Sequence, residues 1–164
     1  MDTLIIFLTQ FAMSLLVWGL VARALAFPWL QTLSLRVALS LLLIPHALRH
    51  LGLTFFVPGV VADGMPDFFA SSAGYGDLLS AVLAIAALLA VNYRWTGALA
   101  LVWLFNAVGI ADLVNALRQA EAVPHFGAAW FIPTFWVPIL LATHGLMIAL
   151  LWRARGEPGG ARSA

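Results

Sequence analysis

Residues 96–117 read TGALALVWLFNAVGIADLVNAL, a run with one ionisable side chain, Asp112. As a helix rising about 1.5 Å per residue it crosses the roughly 30 Å hydrocarbon core of a bilayer. Its apolar residues do not alternate with period two, and backbone groups in lipid must pair within their own segment, so the run is an α-helix. Along it Asn106, Gly109, Asp112, Asn115 and Arg118 recur at every third position. Each such step turns about 60° backwards, so the stripe winds around the helix and only neighbours such as Asp112 and Asn115 act together.

Working outward, hydropathy predicts four more spans, at residues 4–27, 30–56, 77–91 and 127–152. The fold expected is all-α, a five-span transmembrane bundle forming a single domain over residues 1–153, with a disordered cytoplasmic tail over 154–164. Composition agrees: 63% of residues are apolar and 9% charged, with a mean hydropathy of +1.01, against roughly 45–50% apolar in soluble domains. A formal charge of +1 supplies no footprint for nucleic acid. Expected partners are membrane lipids and a second copy or larger membrane complex.

Arginine sets the expected orientation. Arg23 and Arg36 flank the first connection, Arg94 sits in the third and Arg153, Arg155 and Arg162 follow the last span, whereas the second holds Asp63 and Asp67. The positive-inside rule then puts the amino terminus outside and the carboxyl terminus in the cytoplasm. Trp29, Tyr93, Trp95 and Trp152 fall at the same interface. All eight basic residues are arginine and the chain is rich in Ala, Leu and Gly, a bias that fits a bacterial inner-membrane protein. Ala24-Leu25-Ala26 resembles a signal-peptidase site, but the leading segment carries Asp2 instead of a positive charge, so the first span is read as retained.

The absence of cysteine excludes thiol redox relays and iron–sulfur ligation, and the absence of lysine excludes Schiff-base chemistry. What remains is a candidate ligand-binding set of polar residues, with His46, Arg49, His50, Asp77, Asp112 and Asn115 expected in the outer half of the bundle and Asn106 deeper, beside Gly109. Intramembrane ionisable groups are costly unless paired or used. His46 and His50 share one face of an α-helix with Arg49 at its edge, and Pro45 frees the carbonyl of Leu41. An ion pair between Arg49 and Asp112 follows from their similar depth. His46, His50 and Asp112 are the candidate metal ligands, although the pair of histidines lacks the glutamate of the zinc-protease motif and a guanidinium beside it opposes a cation. Asp77, just after Tyr75-Gly76, is read as a helix cap, and Gly76, Ser80 and Ala84 form a small-residue stripe for close helix approach.

The connection over residues 57–76 is expected to be a loop that holds a short interfacial helix starting at Pro66-Asp67 and packs over the bundle. His125 is read as a wet loop residue. His144 lies about 25 Å beyond residue 127 at 1.5 Å per residue, well below His46 and His50, which opposes a bis-histidine haem. Three functions fit: a site for a small polar or anionic ligand, quinone, lipid headgroup or proton; an accessory subunit whose polar residues only lock helices; and an oxidoreductase using haem or a divalent metal. Arg49-His50-Leu51-Gly52, Tyr75-Gly76-Asp77-Leu78 and Phe131-Ile132-Pro133-Thr134 resemble segments of small bacterial membrane proteins without an assigned activity, a resemblance that implies no chemistry.

Overall fold

A computed structural model describes residues 2–156. Among them the chain is all helical, with five helices long and apolar enough to cross a membrane: α1 (Thr3–Leu30), α2 (Leu35–Phe56), α3 (Asp67–Asn92), α4 (Ala98–Leu117) and α5 (Gly127–Ala154). Their starts follow local chemistry. Asp2 accepts from the Leu4 N–H at 3.0 Å and Ser34 from the Val37 N–H at 3.4 Å, each satisfying an orphan first-turn donor. Pro66 precedes α3 and Gly97, at φ 86°, precedes α4.

Two helices change pitch where proline removes a ladder bond. After Pro45, α2 continues to Ala47 and then tightens into a 3-10 helix over Leu48–Phe56. In α5 a 3-10 turn, Gly127–Trp130, and a π turn, Ile132–Trp136, precede the regular helix, with Pro133 in the π turn and Pro138 in the first turn of the regular helix. A further π turn, Ala22–Ala26, lies within α1.

The third helix corrects the sequence reading. The helix start at Pro66-Asp67 opens the span itself, so α3 begins ten residues before the expected residue 77, and no separate interfacial helix exists. Gly74 and Gly76 read as loop punctuation because glycine weakens a helix by roughly 1 kcal/mol. Here they are packing sites: a Cβ on Gly74 would meet the Phe56 ring at 2.5 Å. The tail expected from residue 154 is helical as far as Gly156, and the rest of it lies outside the described residues.

The core has two main apolar clusters along the bundle. One includes Leu39, Leu43, Ala84, Ala87, Val102, Phe105, Met147 and Leu151, and the other Phe7, Phe55, Phe69, Val123 and Phe126. Each of α2 to α5 runs from one cluster to the other, and a layer of buried polar residues lies between them: His46 and Arg49, Asp77 and Ser80, Asn106, and His144, with Thr134 buried further along α5. α1 stands apart. Only Phe7 and Leu30 of it are buried, and Leu8, Met13, Leu16 and Leu20 are each more than half exposed. Trp130 Nε1 donates to Gln10 Oε1 at 2.6 Å and clips α1 to the base of α5.

At the α2–α3 end the connections are stitched together. A short 3-10 helix, Ala120–His125, follows α4. Ala62 N donates to the His125 carbonyl at 3.0 Å, Ala128 N to the Val60 carbonyl at 2.7 Å, and His125 Nδ1 to the Asp63 carbonyl at 2.9 Å. Gly127, at φ 51°, is needed there because a Cβ would sit 2.6 Å from the Val60 oxygen. His125 is thus a half-buried staple between two connections.

Candidate functional site

Arg49 is the hub of the polar layer. Its side chain is fully buried, and its Nε donates to Asp77 Oδ1 at 2.7 Å, its Nη1 to the Gly109 carbonyl at 3.3 Å and its Nη2 to Asp112 Oδ2. The carboxylate side chains are 12% and 11% exposed. Charge-assisted bonds of this kind hold a planar guanidinium in one orientation, and α2, α3 and α4 are joined through it.

Three glycines make room for these groups. A Cβ on Gly52 in α2 would overlap the Asp77 carboxylate, and one on Gly76 in α3 would overlap that of Asp112. One on Gly109 in α4 would lie 2.8 Å from His144 Cε1 and Nε2 and 3.1 Å from Arg49 Nη1. Asp77, Asp112 and His144 therefore each fill a notch cut in the neighbouring helix. At Gly109 the neighbour admitted by the missing side chain is His144.

Beside the hub, the rings of His46 and His144 lie 4.2 Å apart, and both pack on Phe105, at 4.9 and 5.1 Å. Their tautomers follow from their partners. Asn106 Nδ2 donates to the Val102 carbonyl at 2.8 Å, so its Oδ1 accepts from His144 Nδ1–H at 2.9 Å. Thr143 spends its one hydroxyl proton on its own helix, on Ile139 or Leu140, so its Oγ1 accepts from His46 Nε2–H at 2.9 Å. Two lone pairs, on His46 Nδ1 and His144 Nε2, are left buried without a donor.

The expected set thus divides. Arg49, Asp77 and Asp112 converge, and His46 and Asn106 join them through His144. His50 is exposed and bonds only to the Ala47 carbonyl at 3.0 Å, and the Asn115 side chain is exposed. His46, His50 and Asp112 consequently do not converge as metal ligands, and no group of three His, Asp or Glu suited to a metal occurs among the described residues. Asp77 sits well inside α3 and is no cap. The depth assigned to His144 is also corrected. Constant 1.5 Å steps overlook the 3-10 turn at Leu48–Phe56, which rises about 2.0 Å per residue and makes up part of the difference by carrying His46 deeper. The two imidazoles touch, leaving no gap between them for a macrocycle.

The 3-10 turn also explains which side chains meet. In an α-helix His46 and His50 are about 40° apart. From Leu48 onward successive residues are about 120° apart, so Arg49 comes to about 40° from His46 while His50 swings to about 80°.

Residues 6–152 match the family of a domain of unknown function, DUF8737. The chain belongs to that family. No curated protein and no solved structure matches it. The stretch shared with DUF8737 contains the whole polar layer, from His46 to His144.

Proposed function

We propose that this DUF8737 chain is a multi-pass protein of the bacterial inner membrane that binds a proton at Arg49, Asp77 and Asp112. Insertion is supported by the five apolar helices and by outward-facing side chains such as Leu16, Val82 and Leu104. Arg23, Arg36, Arg94 and Arg153 fall towards the α1–α2 and α3–α4 end of the bundle, which makes that end cytoplasmic and the amino terminus external. The chain has no cysteine, so single cysteines test this directly. Asp63→Cys is expected to react with an impermeant maleimide on intact cells and Arg94→Cys only after permeabilisation; the reverse pattern inverts the topology.

One observation carries the proton reading: two carboxylates that are only 12% and 11% exposed face one fully buried guanidinium. One formal negative charge is left over in a low-dielectric interior, where an uncompensated charge costs several kcal/mol. A proton shared within the trio cancels it. An anionic ligand would add to the surplus and would have to displace a carboxylate from Arg49. The lone pairs of His144 Nε2, beside Arg49 across the Gly109 notch, and of His46 Nδ1 extend the set of acceptors inward.

Infrared spectroscopy of the purified protein tests it. A deuterium-sensitive carboxylic acid C=O band is expected at neutral pH and should vanish in Asp77→Asn/Asp112→Asn. A spectrum with ionised carboxylates alone overturns the reading. The second reading, an accessory subunit with a purely stabilising network, is favoured by the bonding of three Arg49 nitrogens within the protein. It predicts that Asp112→Asn changes abundance and no proton-dependent signal.

A further inference from the structure

Against the trio, towards the stitched end, lies a cavity of about 70 Å³. Its polar side chains are Asp77, Asp112 and Gln119, and its apolar wall includes Phe7, Phe55, Phe69 and Phe126. These four rings form one packed group, Phe126 standing 5.9, 6.2 and 5.4 Å from Phe7, Phe55 and Phe69. Gln119 Nε2 donates to Ser72 Oγ at 3.1 Å and to the Asn115 carbonyl at 3.3 Å. A carbonyl only accepts, so the amide orientation is fixed and the unbonded atom is Oε1, buried with no donor. The unused polar capacity of this wall is all acceptor, and next to it stands the surplus negative charge of the trio.

We propose that this cavity binds a small organic ammonium ion, which takes the place of the proton on the Arg49–Asp77–Asp112 trio. Carboxylates and an amide oxygen attract the cation, and phenyl rings stabilise it by cation–π attraction. A bare metal ion, whose water shell only oxygen ligands replace, has no use for such a wall. At about 10–15 Å³ for each water-sized group, the space takes roughly five to seven heavy atoms, the size of tetramethylammonium or a short alkylammonium. The exchange balances in charge: the acid O–H bond breaks, its proton leaves to solvent, and the ammonium ion neutralises the carboxylate so formed. This inference rests on the proton reading given above.

The test is calorimetric titration of the purified full chain with tetramethylammonium chloride, run in two buffers of different ionisation enthalpy. One cation is expected to bind per chain with release of close to one proton, and tert-butanol, a neutral molecule of similar shape, is expected not to bind. Gln119→Ala and Phe126→Leu should each weaken binding severalfold while the infrared acid band remains, and Asp112→Asn should abolish proton release. No binding of tetramethylammonium with the acid band intact overturns the ammonium site and leaves the proton reading standing. Cation binding with neither an acid band nor proton release overturns the proton reading and the exchange together. Equal binding of tert-butanol shows selection by apolar volume and overturns the proposal.

Discussion

The imidazole rings of His46 and His144 lie 4.2 Å apart and are tilted by 53°, although α2 and α5 are distant in sequence. Each gives its N–H to a polar partner, Thr143 Oγ1 and Asn106 Oδ1, and keeps a bare lone pair in the interior. His144→Leu therefore strands Asn106 Oδ1 and is expected to lower stability by about 1–3 kcal/mol. Adding Asn106→Leu removes the stranded acceptor, so the double variant should lose less than the sum of the two singles. Thermal unfolding of the detergent-solubilised variants reads this coupling, and strict additivity would show that the bond contributes nothing.

Arg49→Met leaves two buried carboxylates facing each other. Breaking a buried pair costs about 3–5 kcal/mol, whereas replacing all its charged members is often neutral. The single variant is expected to be poorly folded, and Arg49→Met/Asp77→Asn/Asp112→Asn to regain most of the lost thermal stability. If the triple variant melts no higher than the single one, the ion pairing is not what holds α2, α3 and α4 together.

The glycine notches make a graded prediction. Gly76→Ala forces Asp112 away from Arg49, and Gly109→Ala presses on His144 and Arg49, so each should cost about 1–3 kcal/mol through overpacking. Gly19→Ala meets nothing within 4 Å and should hold or slightly raise the melting temperature. A Gly76→Ala protein as stable as the parent would mean that Asp112 does not occupy the notch.

The stitched connections predict a hydrogen-exchange pattern. The amides of Ala62 and Ala128 are bonded to the partner connection and should be protected. His125→Ala removes the bond to Asp63 and should speed exchange over residues 57–66 without changing that of α2 to α5. Fast exchange of these two amides in the parent protein would show that this end is open.

The five spans were legible because apolar runs of this length have few alternatives, and Arg49 with Asp112 was legible because their depths could be counted. The partners of that pair were not. Asp77 was read as a cap because Gly74-Tyr75-Gly76 signals a break in water-soluble chains, while between packed helices the same glycines are contact points. His50 was included because counting assumed one pitch, and nothing in residues 48–56 announces a 3-10 turn; Pro45, three positions upstream, is the nearest signal. Asn115 failed for a simpler reason: the stripe of three-residue steps winds, and that position had already turned outward.

Leu4, Phe7 and Leu8 supply one wall of the cavity above the carboxylates, and they belong to the helix with the weakest hold on the rest. Displacing that helix would open the chamber on its α1 flank, while the contacts of α2 to α5 at Gly52, Gly76 and Gly109 do not involve it. If the bundle spans a membrane as proposed, that flank is its apolar side, and an amphiphile dissolved in the bilayer would have the shortest route in.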